Sequence, residues 1–269
     1  FDPEKLTWLA TKPVPSTFIG ALIIAIAAGY LVKWLNTKIS VPQYLLAFKS
    51  TFLIPILSAL FVMLAMYYVI TPIGGWLNAG MRTLLLAAGQ AGSMMYAIGM
   101  AAATAMDLGG PINKAAGFVG LGLTTDHVLP ITSRAVAIVI PPIGLGLATL
   151  IDRRLTGKRL FSPQLYPQGK TAMFLAFMGI SEGAIPFLLE NPLATLPAYM
   201  IGAIAGAMTA TALGAVQWFP ESAIWAWPLV TNLGAYMLSI LVGAVITALL
   251  VVTIRNSMYK RGKLAIDTL

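Results

Sequence analysis

The sequence contains no cysteine, one histidine and nine acidic residues among 269. The absence of cysteine excludes disulfides, thiolate metal sites and a thiol nucleophile, so any thiol chemistry belongs to a partner. Scarcity of charge excludes more. Charged residues are 10% of the chain and hydrophobic residues 58%, against roughly a quarter charged in an ordinary soluble domain. Lipid is therefore the expected solvent of this fold. No metal-ligand cluster, Walker loop or Ser/His/Asp arrangement is visible, and neither a metal nor a cofactor is expected. No Gly/Ser linker, low-complexity tract or repeat divides the chain, which reads as one apolar domain over residues 1–269. No basic region with a cleavage site precedes the first apolar run, so that run is expected to be a retained span rather than a signal peptide.

What the sequence does contain is a series of apolar runs with basic residues at their ends. A net charge of +8 would suggest nucleic acid in a soluble protein, but here the cations follow the positive-inside pattern of membrane proteins. Lys33, Lys38 and Lys49 fall in one loop, and Arg153, Arg154, Lys158, Arg159 and Lys170 in a second. Arg255, Lys260, Arg261 and Lys263 fall in the tail, and these three regions together hold 12 of the 17 Lys and Arg. They are assigned to the cytoplasm, which makes the C-terminus cytoplasmic.

The resulting expectation is an all-α, polytopic integral membrane protein with broken helices and re-entrant hairpins. Ser16 to Leu35 is a run long enough for a hydrocarbon core of roughly 30 Å. A second span runs from about Thr51 to Ile70 and stops at Thr71-Pro72 with Gly74-Gly75, and residues 76–90 look interfacial. Apolar residues resume at Gly92 and reach Met106, and after an interruption continue to about Leu123. Val128 to Ile151 is a further span interrupted by Arg134 and Pro141-Pro142. Residues 171–189 read as a re-entrant hairpin on the cytoplasmic side, Leu193 to about Val216 crosses outward, and Leu229 to Ile254 returns. Trp218, Phe219, Trp225 and Trp227 are assigned to an aromatic belt at the outer headgroups.

Ionisable groups deep in lipid persist mainly where they are paired or line a polar cavity. The candidates are Asp107, Lys114, Asp126, His127, Arg134, Glu182 and Glu190. In the interruption at 107–116, Gly109 and Gly110 end one helical piece and Pro111 begins the next, where its missing N–H costs nothing. Asn113 can hydrogen-bond sugar hydroxyls, and Lys114 either pairs with Asp107 or attracts a phosphate. In the second interruption, Gly179-Ile180-Ser181-Glu182-Gly183-Ala184-Ile185-Pro186-Phe187, one carboxylate sits between two glycines ahead of a proline. Glu182 there can accept from sugar hydroxyls or act as general base, or else pair with Arg134 or Lys114. His127 is either a proton-handling or phosphate-contacting group or a hydrogen-bonded loop residue. The GxxxG spacing of Gly202 and Gly206 usually means close helix packing.

Together these interruptions resemble the fructose, or fructose-like, family of phosphotransferase-system enzyme IIC permeases. The resemblance rests on Asp107-Leu108-Gly109-Gly110-Pro111-Ile112-Asn113-Lys114-Ala115-Ala116, on Pro141-Pro142-Ile143-Gly144, and on residues 179–187 followed by Glu190-Asn191-Pro192. It implies a homodimeric sugar permease of the bacterial inner membrane, with two re-entrant hairpins and an elevator-like movement. Its phosphoryl group comes from a cysteine of a separate enzyme IIB. By carry-over Glu182 is catalytic, and Asp107, Asn113, Lys114, His127, Ser181, Gly183 and Glu190 are substrate-binding. Ser181 stands where the family has Thr, and Ile131 where some members carry a histidine after the proline. The family domain begins before Phe1, so opening helices are expected to be missing. The competing expectation is an ion-coupled secondary transporter using intramembrane carboxylates.

Overall fold

The structure is a computed structural model that describes residues 17–90, 92–125 and 128–263. All its regular elements are helical, with no strand among the described residues. Among the described residues four helical segments are long and apolar enough to cross a membrane: Gln43–Gly89, Thr132–Thr156, Pro192–Ala212 and Leu233–Lys260. The chain divides into two compact units, Phe1–Thr83 and Leu84–Leu269.

In the first unit, α1 (Thr17–Lys38) packs on α3 (Ile54–Ala65). Between them Pro42 precedes a 3-10 turn, Gln43–Leu45, and the short α2 (Leu46–Phe48). The Lys49 ammonium donates to the Asn36 carbonyl at 2.8 Å and ties the end of α1 to the next segment. The expected stop at Pro72 does not occur. The helix passes through a π turn, Met66–Ile70, into α4 (Thr71–Gln90). Another π turn, Lys49–Leu53, leads into α3, whose second residue is Pro55. A proline inside an α-helix strands the carbonyl four residues earlier and collides with it, and the wider π turn relieves that collision. Ile56, Met63, Tyr68 and Trp76 are exposed apolar side chains of this unit, as befits surface solvated by lipid.

The second unit is built on α7 (Thr132–Thr156), α10 (Pro192–Ala212) and α11 (Leu233–Lys260), with α5 (Ser93–Ala105) against α7 and α10. Small residues set the approach of these helices, as expected where lipid offers no hydrophobic force between them. A Cβ at Gly202 would fall 2.5 Å from the Gly243 carbonyl oxygen, and one at Gly206 2.9 Å from that of Ser239. The GxxxG pair is thus the contact face between α10 and α11. A Cβ at Gly144 would lie 2.9 Å from the Ala244 carbonyl oxygen, which brings α7 onto the same seam. Pro141 and Pro142 do not interrupt α7, which is continuous and largely buried. Packing from α10 and α11 holds the helix where the two missing N–H groups would weaken it.

Two of the turns carry the helix breaks. α5 turns over residues 106–110 into α6 (Pro111–Thr125). α8 (Leu165–Phe177) turns over 178–181 into a 3-10 turn, Glu182–Ala184, and α9 (Ile185–Glu190). The latter pair forms the expected hairpin: Phe187 meets Phe161 edge-on at 5.9 Å, and the Glu190 carboxylate accepts from the Ser162 N–H at 3.0 Å, so the chain returns to where α8 began. Asn191 then caps α10 by accepting from the Ala194 N–H. Trp227 departs from the aromatic belt. It is buried, donates to the Ser222 carbonyl at 3.1 Å and packs on Phe177 and Tyr236, while Trp218, Phe219 and Trp225 are exposed.

Candidate functional site

The site forms where the two helix breaks meet. At the first, Leu108 adopts φ +49° and Gly109 φ +98°. A leucine in that region is strained by about 1–3 kcal/mol, and its side chain, buried in the core, holds it there. Asp107 folds back over the start of α6. One carboxylate oxygen accepts from the Ile112 N–H at 2.6 Å and the other from the Asn113 N–H at 3.0 Å. These are orphan donors of a helix start, where a negative charge is also favoured by the helix dipole. Asp107 is therefore a cap, and among the described residues it forms no ion pair with Lys114. Asn113 is buried and donates its amide to the Thr104 carbonyl at 2.5 Å, fastening α6 to α5.

At the second break, α8 ends on Gly179 at φ +74°, with the Gly179 N–H on the Ala176 carbonyl and the Ile180 N–H on that of Leu175. This left-handed termination satisfies the last helical carbonyls and suits glycine. Ser181 leads into the 3-10 turn that carries Glu182. The Glu182 carboxylate lies directly against Gly109: a Cβ there would be 2.7 Å from its Cδ. The missing side chain of one break makes room for the charged side chain of the other.

A third segment, outside both breaks, completes the site. Ile131 N–H donates to the Gln217 carbonyl at 2.9 Å, and Gln217 N–H to the Thr132 hydroxyl at 2.8 Å. The Gln217 amide donates to the carbonyls of Phe219 and Glu221. This holds residues 219–223 as a compact bend in which the Glu221 carboxylate accepts from the Ser222 N–H at 2.8 Å. The bend packs on Gly179, whose Cβ would lie 3.0 Å from the Ala223 nitrogen. Arg134, in the first turn of α7, lays its guanidinium on Gly117, where a Cβ would lie 2.8 Å from Nε. Among the described residues its Nε has no hydrogen-bond acceptor.

These pieces enclose a cavity of about 320 Å³ whose wall includes Asn113, Lys114, Arg134, Ser181, Glu182, Glu221 and Ser222. It therefore gathers two cations, two carboxylates, an amide and two hydroxyls. Among the described residues no hydrogen bond engages the Glu182 carboxylate. Such a wall suits a small polyhydroxylated ligand that also carries or receives negative charge, and its volume lies at the lower end of small-molecule sites, about 300–1,000 Å³. Pro142 adds one further feature, since its missing N–H leaves the Ile138 carbonyl without its helical donor, and Ile138 also lines the cavity.

Of the residues singled out in the sequence, Asn113, Lys114, Arg134, Ser181 and Glu182 come together here. Asp107 supports them as the cap of α6. Gly183 faces the other way, where a Cβ would lie 2.9 Å from the Ala172 Cα, and so permits the hairpin to close on α8. Glu190 belongs to a separate cluster: it pairs with buried Arg255 at 2.8 Å, while Arg255 also donates to the Leu160 carbonyl and covers the Phe161 ring. His127 lies outside the described residues. Glu221 was missed because it follows a proline beyond the two breaks, although a carboxylate in so acid-poor a chain was the available signal.

Comparison with known proteins agrees with the motifs. The family model described as phosphotransferase system, EIIC, matches residues 3–217. The chain is 73% identical over its full length to "Fructose-like permease IIC component 1" of Escherichia coli (strain K12), of which it spans 65%. It is 36% identical, over 91% of this chain and 67% of the relative, to "Fructose-like permease IIC component 2" of the same organism. The "PTS system fructose-specific EIIB'BC component" of Rhodobacter capsulatus is 35% identical over 83% of this chain and 39% of its own length. No solved structure matches. Both helix breaks fall inside the matched stretch, with the bend at 219–223 just beyond it, and the chain belongs to the EIIC family of the phosphotransferase system.

Proposed function

We propose that the chain is the sugar-translocating part of a phosphotransferase-system permease, that its cavity holds fructose or a fructose-like sugar, and that Glu182 binds and deprotonates the hydroxyl to be phosphorylated. The observation that carries the reading is the Glu182 carboxylate, left without a hydrogen bond among the described residues and backed by Gly109 in a wall that also presents Lys114 and Arg134. An ionised carboxylate has acceptor capacity and no donor, so an open one at a polar cavity is suited to hydroxyl groups.

The phosphoryl donor in this reading is a phosphocysteine of enzyme IIB. A chain without cysteine fits that division of labour, and the relative from Rhodobacter capsulatus bears both EIIB and EIIC in its name. The hydroxyl oxygen bonds to phosphorus as the P–S bond breaks, the electron pair leaves with sulfur as thiolate, and the hydroxyl proton passes to Glu182. Such transfers depend mainly on positioning and charge stabilisation, which Lys114 and Arg134 supply. Asn113 and Ser181 orient the sugar, and Asp107 holds Asn113 and Lys114 at the wall. A homodimer in the bacterial inner membrane, with the 152–170 loop and the tail on the cytoplasmic side, completes the proposal; the basic residues of those two regions support the orientation.

The test is sugar uptake and phosphorylation in vesicles bearing the full-length protein, with and without phosphorylated enzyme IIB. Accumulation is expected only with the phosphorylated partner. Uptake driven by an ion gradient alone would instead favour the secondary transporter.

A further inference from the structure

A second cavity, of about 690 Å³, opens between the end of α7 and the start of α8 and shares no lining residue with the first. Three cations line it: Arg153, Arg159 and Lys170. Among the described residues none of the three is in an ion pair. The carboxylate that also lines the cavity, Asp152, is already committed. It is buried and accepts from the N–H groups of Arg153 at 2.6 Å and Leu160 at 2.8 Å and from the Tyr166 hydroxyl at 2.5 Å. Burial, together with the hydrogen bond to Asp152, raises the Tyr166 phenol above its ordinary value, so it keeps its proton and remains a donor. The wall is thus built in advance. Asp152 pins the loop from one side, and Arg255 holds the Leu160 carbonyl at 2.8 Å from the other. Arg159 is steadied over the Tyr166 ring at 4.9 Å.

The surface beside the cations is apolar. Leu150, one turn before Arg153 on α7, lines the same cavity and is 47% exposed. Phe174, one turn after Lys170 on α8, is 64% exposed. Residues three or four apart share a helix face, so on both helices the positive end gives way to bare hydrocarbon along one face. That is the outline of an amphiphile: an anionic head with an acyl chain beneath it. A free anion would not use the apolar half, and a soluble protein partner would have to bury it.

We propose that this cavity binds the phosphate headgroup of an acidic phospholipid, with Arg153, Arg159 and Lys170 as its charge partners and Leu150 and Phe174 against its acyl chain. Basic pockets beside membrane helices have the chemistry for such heads. The proposal is independent of the sugar site.

The experiment measures binding of dioleoyl phosphatidylglycerol and dioleoyl phosphatidylcholine to the full-length protein in neutral detergent by native mass spectrometry. The expected preference for phosphatidylglycerol is about tenfold, falling below about twofold in Arg153→Gln/Lys170→Gln and persisting in the charge-keeping Arg153→Lys/Lys170→Arg. Lys170→Gln alone, at an exposed position, serves if the double variant does not fold, and should lower the preference by about half on a logarithmic scale. Equal binding of the two lipids by the parent protein would overturn the proposal, as would a preference unchanged in the Gln variants. If sn-glycerol 1-phosphate competes as well as the whole lipid, the cavity is a soluble-anion site instead. If the Gln variants keep the lipid preference but lose phosphorylation by enzyme IIB, it is a protein-docking site. Glu182→Gln, which disables the proposed sugar chemistry, should leave the preference intact.

Discussion

Glu182 and Glu190 stand at the two ends of one short stretch, in a chain with only nine acidic residues, and the fold treats them in opposite ways. Glu190 receives the Ser162 N–H and the guanidinium of buried Arg255. Glu182 receives no hydrogen bond among the described residues and is set instead against Gly109 at the wall of a polar cavity. A carboxylate whose partners are supplied by the protein holds elements together, whereas one left open is available to a ligand. Proximity in sequence therefore says little about role, and the partners decide it.

The largest expected effect separates the two directly. Glu182→Gln should lower sugar phosphorylation by about a thousandfold, within the range of general-base catalysis, while the unfolding midpoint of the solubilised protein stays that of the parent. Near-normal turnover would remove Glu182 from the chemistry. Glu190→Ala should do the reverse, costing about 3 kcal/mol of stability because it strands a buried guanidinium, as read from the shift in thermal unfolding. A variant as stable as the parent would mean that the Arg255 pair is dispensable. Gly109→Ala tests the contact between the breaks. Its Cβ would collide with the Glu182 carboxylate in a backbone region unfavourable to alanine, and a displacement of that kind should cost about a hundredfold in turnover. Retained activity would show that Glu182 needs no such seat.

The smallest effect concerns the partnered side of the comparison. Tyr166→Phe removes one donor from buried Asp152 and should cost about 1–2 kcal/mol. Because burial and the Asp152 hydrogen bond raise the folded-state phenol above its ordinary 10.0, the folded state holds this proton more tightly than the unfolded chain does. Its contribution is complete below that ordinary value and declines as pH rises above it. Unfolding measured across alkaline pH should therefore show a steeper loss in the parent than in Tyr166→Phe. Equal slopes would mean that the phenol is not held by Asp152.

The two breaks were legible because glycine, proline and charge are conspicuous in apolar sequence, and their mechanisms are local. Gly179 ends α8 in the left-handed region, and Pro111 opens α6. Less legible were continuous helices that carry prolines. Pro72 and Pro141-Pro142 read as interruptions, yet a π turn accommodates the first and close packing of α7 holds the others. Trp227 read as an interfacial residue because composition does not report that a neighbouring carbonyl, that of Ser222, can take its indole N–H inside the protein.

By itself the sequence determined the solvent of the fold, the all-helical architecture, the places where helices break and the family. Each follows from composition or from residues adjacent in the chain. Only the tertiary structure decided which polar groups meet. Glu182 found Gly109, Arg134 joined Glu221 at one cavity, and Glu190 was taken by Arg255, all across separations that local periodicity does not encode. An unpartnered polar group is costly in an apolar interior, so the packing of distant helices settled which carboxylate the protein satisfied and which it left open at the cavity.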